Sequence, residues 1–113
     1  MTQTFGKMIL KARKKNGYSQ RDLAKLLGVN FSYLSKLENN RAEYPPKEEV
    51  IRGLAEYLHL DAEELIVLAG RLPQQYEEFL KQNYKEMPAL LRRMQENPEF
   101  AQKVFQTVNE GES

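Results

Sequence analysis

The side chains able to do covalent or metal chemistry are few. His59 is the single histidine and cysteine is absent, so no thiolate nucleophile and no Cys-containing zinc site can form, and His59 has no second soft ligand with which to share a metal. Lying between Leu58 and Leu60 at an expected helix end, it reads as a packing or surface histidine. The paired acids Glu48-Glu49, Glu63-Glu64 and Glu77-Glu78 fall at expected helix starts, where negative charge is stabilised by exposed backbone amides. No phosphate loop, nucleophile elbow or dinucleotide fingerprint surrounds Ser19, Ser32, Ser35 or any glycine. Catalysis is therefore not expected, nor any cofactor. What remains is an aromatic and polar run, Phe31-Ser32-Tyr33 with Ser35-Lys36, set in a basic stretch.

Placement of charge decides what such a run would meet. The whole chain of 113 residues carries 17 Lys+Arg and 16 Asp+Glu, a net charge of +1, which argues against a polyanion partner when read globally. Residues 1–41 nevertheless hold nine bases and two acids, +7; residues 42–70 hold two and seven, −5; residues 71–113 hold six and seven, −1. A basic N-terminal third would face a polyanion while the acidic middle turned away or repelled wrong approaches. A solvated surface with uneven charge is the competing reading, and motifs must separate the two. A length of 113 residues fits one small domain with an appendage. The hydrophobic fraction of 41% is that of a globular chain, and no apolar run approaches a membrane span. The lack of cysteine and of an apolar leader at Met1–Lys7 predicts a reducing, cytoplasmic setting.

The elements that would position this run are helical throughout, because apolar residues recur at spacings of three and four and Pro or Gly punctuates the blocks. Phe5, Met8, Ile9 and Ala12 make the first stripe, with Lys11, Arg13, Lys14 and Lys15 crowding the helix end before Asn16-Gly17. Ser19 is an N-cap with Asp22 three residues on, opening a helix over about 20–27 that buries Leu23, Ala24 and Leu27. Gly28 takes the left-handed stop, Val29 is an apolar plug, and Asn30 caps a helix over about 31–39 whose inward face is Leu34 and Leu37. Further helices are expected over about 47–58 and from Asp61 to Gly70. The fold class is thus all-α, with five helices in the first 70 residues and two or three amphipathic helices behind them.

The segment QRDLAKLLGVNFSYLSKLENNR, Gln20 to Arg41, resembles the lambda-repressor-like, Cro/XRE-type helix-turn-helix family of bacterial and phage transcriptional regulators. Gln20, Leu23-Ala24, Gly28-Val29, Leu34 and Leu37-Glu38-Asn39 carry the resemblance, which covers roughly residues 5–70. Asn40 stands where the family often has glycine, and asparagine also tolerates left-handed backbone. The resemblance implies that the helix over 31–39 enters the major groove of double-stranded DNA, with Phe31, Ser32 and Lys36 as base-edge readers and Tyr33 and Ser35 at the margin. Lys36 can donate to guanine, Ser32 can bond to either partner of a pair, and Phe31 can pack on a thymine methyl. Gln20, Asn39 and Arg41 fall at the family's phosphate-contacting positions, and Lys14 and Lys15 add basic charge nearby.

Residues 1–70 are accordingly expected to form the DNA-binding domain and residues 71–113 a helical extension for dimerisation or interaction. Tyr76, Phe79, Leu80, Tyr84 and Met87 line one apolar stripe, Leu90, Leu91 and Met94 a second, and Phe100, Ala101, Val104, Phe105 and Val108 a third. Pro73, Pro88 and Pro98 stand where new helices can begin, and the last five residues, from Asn109, are expected to fray. The stripes either pair with a second copy, making a homodimeric repressor of a pseudo-palindromic operator, or fold back on the preceding helices. A module of another kind, an antitoxin or adaptor, would use them to hold a toxin or other partner protein. A regulator inactivated by a separate regulatory peptidase would draw on exposed linkers around Pro73 and Pro88.

Overall fold

The Thr4 hydroxyl accepts the Lys7 amide and starts the first helix of the computed structural model, which describes residues 3–111. Helix α1 spans Phe5–Lys15, α2 Gln20–Leu27, α3 Phe31–Glu38, α4 Glu48–Leu58 and α5 Ala62–Leu68. After a 3-10 turn at Gln74–Tyr76 come α6 Glu77–Gln82, α7 Glu86–Glu96 and α8 Pro98–Gly111. No strand occurs among the described residues. The chain divides into two compact units, Met1–Gln74 and Gln75–Ser113.

The boundaries follow from local chemistry. The Ser19, Asn30 and Asp61 side chains accept the amides of Asp22, Ser32 and Glu64, capping α2, α3 and α5, each cap stabilising by about 1 kcal/mol. Gly28 ends α2 with φ +71°, where its amide returns to the Lys25 carbonyl. His59 ends α4 with φ +58°, so the lone histidine is an exposed helix terminator. Glu48-Glu49, Glu63-Glu64 and Glu77-Glu78 lie in the first turns of α4, α5 and α6, where the helix dipole favours them.

The first unit's core joins all five of its helices: Ile9 and Ala12 from α1, Leu23 and Ala24 from α2, Leu34 and Leu37 from α3, Ile51, Leu54 and Leu58 from α4, and Leu65 and Ile66 from α5. Helix α1 reaches α3 unusually closely because Gly6 has no side chain. A Cβ there would lie 2.5 Å from the Glu38 carbonyl oxygen and 2.7 Å from that of Leu37. Asn40, in left-handed backbone at φ +56°, accepts the Gly6 amide on Oδ1 at 3.0 Å and donates to the Thr4 hydroxyl at 3.2 Å.

The chain leaves this unit under restraint. Arg71 donates to the carbonyls of Pro46 (2.6 Å) and Pro45 (3.1 Å), Glu48 accepts the Gln74 amide at 2.8 Å, and Pro73 is buried. The segment around Pro73 is exposed at Arg71, Leu72 and Gln74, as expected of a linker, but it is not loose: Pro73 itself is buried and Arg71 spends its fork of donors on two carbonyls of the preceding loop. Pro88 marks no linker, since it is the third residue of α7, within the first turn where a missing N–H costs no helical bond.

In the second unit α7 packs against α8, with the Arg93 guanidinium 4.3 Å from the Phe100 ring centroid. The stripe from Tyr76 to Met87 is broken rather than continuous. Phe79 and Leu80 lie on α6, Tyr76 ends the 3-10 turn, and Tyr84 sits in the turn between α6 and α7. At the break Asn83 caps α6, donating both its backbone amide (3.2 Å) and its side-chain amide (2.9 Å) to the Phe79 carbonyl. Helix α8 continues through Asn109 and Glu110 to Gly111, so the fraying expected there is not found; Glu112 and Ser113 lie outside the described residues. Val108 prolongs the apolar stripe, and nothing in the sequence interrupts the helical bonds before Gly111.

Candidate nucleic-acid interface

Helices α2 and α3 meet across a turn of Gly28, Val29 and Asn30. Leu34 and Leu37 are buried and Val29 and Tyr33 pack against the core, which fixes α3 from one side. Phe31, Ser32 and Lys36 are left exposed along the other side. Ser35 is half-buried, and Tyr33 is partly withdrawn into the packing, so of the five expected base readers these two have the least free surface.

The expected phosphate contacts are placed unequally. Lys14, Lys15, Asn39 and Arg41 are exposed, the first two at the end of α1 and the others just past α3. Asn39 bends its side-chain amide back onto the Ser35 carbonyl at 2.8 Å, capping the recognition helix. Gln20, the first residue of α2, is half-buried and donates one amide hydrogen to Glu38 Oε1 at 2.7 Å. Its second amide hydrogen remains for an outside acceptor.

Sequence reasoning missed what lies behind Gln20. Glu38 is buried and takes a fork from Arg13, Nε to Oε2 at 2.6 Å and Nη2 to Oε1 at 3.2 Å, while Arg13 Nη1 holds the Tyr18 carbonyl at 2.9 Å. Arg13 is thus not one of the surface cations with which it was grouped. It is a strut between α1, the loop before α2, and the end of α3. The signal was in the spacing: Arg13 follows the buried Ile9 by four and Glu38 follows the buried Leu34 by four, so both charges sit on core faces and must find each other. With this pair internal, eight exposed cations remain in residues 3–41, with Asp22 the one other acid. The surface keeps its +7.

Arg21 was missed as well. It is exposed on the second residue of α2, and its guanidinium carbon lies 4.7 Å from the ring centroid of Phe31, the first residue of α3. No sequence periodicity relates positions ten apart across a turn.

The comparisons agree with this geometry. A helix-turn-helix domain family model matches residues 6–71. The uncharacterized HTH-type transcriptional regulator YazB of Bacillus subtilis (strain 168) is 35% identical over 63 residues, which make up 56% of this chain and 88% of YazB. The DNA-binding domain of the P22 c2 repressor, residues 1–76, superposes with a TM-score of 0.51 at 32% identity, covering 66% of this chain and 92% of that domain. SinR, the master regulator for biofilm formation, in its crystal structure with DNA, gives a TM-score of 0.50 at 32% identity over 55% of this chain and 97% of the SinR chain. A SinR/SinI complex matches further along, covering 88% of this chain and 99% of the matched one at a TM-score of 0.51 and 22% identity, a likeness of fold. A three-residue turn between two short helices, a buried Leu34–Leu37 face and an exposed face rich in cations are therefore those of a known recognition unit: this chain belongs to the helix-turn-helix domain family and is a DNA-binding transcriptional regulator with a lambda-repressor-like domain.

Proposed function

We propose that the protein is a sequence-specific repressor that binds a pseudo-palindromic operator as a homodimer, with α3 of each copy in the major groove. The carrying observation is the exposed Phe31, Ser32 and Lys36 on a helix locked from behind by the buried Arg13–Glu38 pair. In this arrangement Phe31, Ser32 and Lys36 read base edges, with Tyr33 and Ser35 at the margin. Gln20, Asn39, Arg41, Lys14 and Lys15 meet phosphates and set register. The SinR structure with DNA, 32% identical over its matched region, supports DNA as the partner.

Dimerisation is assigned to the second unit. Among its described residues none is buried, and Phe79, Tyr84 and Phe105 are 59%, 67% and 54% exposed. Helices that hide so little of their apolar surface gain by pairing. Tyr76, Leu80, Phe100 and Val104 extend the surface available to a second copy, and two recognition helices read more bases than one.

Sedimentation of the full chain, combined with selection from a random duplex library, tests this. A dimer that selects two inverted half-sites, with affinity falling steeply in salt, is the expected result. A monomer that becomes ordered only with a second protein supports the antitoxin or adaptor reading instead.

A further inference from the structure

Arg21 and Phe31 are the one cation–aromatic stack of the described first unit, and the stack stands at the mouth of the recognition helix. Arg21 makes no hydrogen bond or ion pair with the described residues, so its five N–H donors are unspent while its guanidinium lies beside the ring. Phe31 is 39% exposed, an aromatic left partly open at the first position of α3. A guanidinium resting against a ring loses less freedom when it binds than one that is unsupported.

We infer that Arg21 is a specificity-determining residue on α2 that acts as a unit with Phe31, reading a guanine next to a thymine in each half-site. The Arg21 fork matches the O6 and N7 acceptors of guanine in the major groove, and the Phe31 ring offers an apolar face to the thymine C5-methyl. The 4.7 Å separation is compatible with contacts to neighbouring base pairs, which lie about 3.4 Å apart. This rests on the DNA-binding reading above and adds a base reader from outside α3.

A phosphate contact by Arg21 is the competing outcome, and charge-conserving substitution separates the two. Full-length wild type, Arg21→Lys, Arg21→Ala and Phe31→Ala are each put through selection from a random duplex library, followed by binding to the wild-type site at several salt concentrations. Wild type should select a thymine–guanine step. Arg21→Lys should keep the salt slope yet lose roughly tenfold of the preference for that guanine. Replacing the thymine by deoxyuridine should weaken wild type by about fourfold, the loss of one buried methyl, and leave Phe31→Ala unaffected. A uniform loss across all sequences for Arg21→Ala, with guanine preference intact in Arg21→Lys, overturns the inference while leaving the regulator reading in place. A wild type without any base preference overturns both.

Discussion

Arg13 of α1 and Glu38 of α3 form a forked ion pair with Nε 2.6 Å from Oε2, and both side chains are nearly sealed from water. Gln20 adds a third partner at 2.7 Å, so Arg13 of α1 and the first residue of α2 share the carboxylate of the last residue of the recognition helix. Removing one member of such a pair strands a buried charge, which costs about 3–5 kcal/mol, whereas replacing both by apolar groups is often tolerated. Glu38→Ala is therefore expected to lower unfolding free energy by that order in urea titrations, and Arg13→Met with Glu38→Leu to lose far less. Equal losses in the single and double variants would remove the pair from this role.

Gly6→Ala tests the close approach of α1 to α3. The added methyl would meet backbone oxygens at 2.5 and 2.7 Å, and backbone cannot step aside as a flexible side chain does. A loss of about 1–3 kcal/mol is expected in thermal or urea unfolding. Gly111→Ala, where a Cβ meets nothing within 4 Å, is the matched control and should leave stability unchanged or slightly raised.

The restraint on the exit segment carries a pH dependence. The Gln74 amide, and next the Arg52 guanidinium, hold the Glu48 carboxyl below the ordinary glutamate value of 4.5. Because the folded value is depressed, the contribution is fully present above the unfolded value and is lost as pH falls through the folded one. The stability difference between wild type and Glu48→Gln should be largest near neutrality and shrink as pH drops below 4.5. Measured unfolding curves whose difference is flat down to strong acid would contradict it.

Lys36 and Arg41 separate reading from holding. Lys36→Ala should relax base preference at one operator position, and Arg41→Ala should weaken specific and scrambled DNA alike while reducing the slope of log K against log salt by about one. Identical behaviour of the two variants on both DNAs would show that neither role is as assigned. Gln20→Ala differs from both, because it also leaves Glu38 short of a donor; a lower melting temperature should accompany its weaker binding.

Much of the first unit was legible in the sequence because its punctuation is local. Ser19, Asn30 and Asp61 each cap the helix they precede, and Gly28 and Asn40 take up left-handed backbone where the turns demand it. The Arg13–Glu38 strut was readable in principle, since each charge sits four residues from a buried aliphatic, yet grouping Arg13 with its basic neighbours concealed it. Arg21 over Phe31 was not readable, because a stack between two helices depends on the crossing that packing imposes and leaves no trace in spacing. The break at Asn83 belongs with it: the stripe from Tyr76 to Met87 obeys helical spacing, and nothing in that spacing marks the turn between α6 and α7.

Arg71 is the single lysine or arginine between Arg52 and Lys81. Its guanidinium is the group that a trypsin-like protease must swallow, and here it is already occupied by the Pro45 and Pro46 carbonyls beside a buried Pro73. Scission after Arg71 therefore has to wait until this segment lets go. Trypsin cleavage at this position is thus expected to report local opening of the segment.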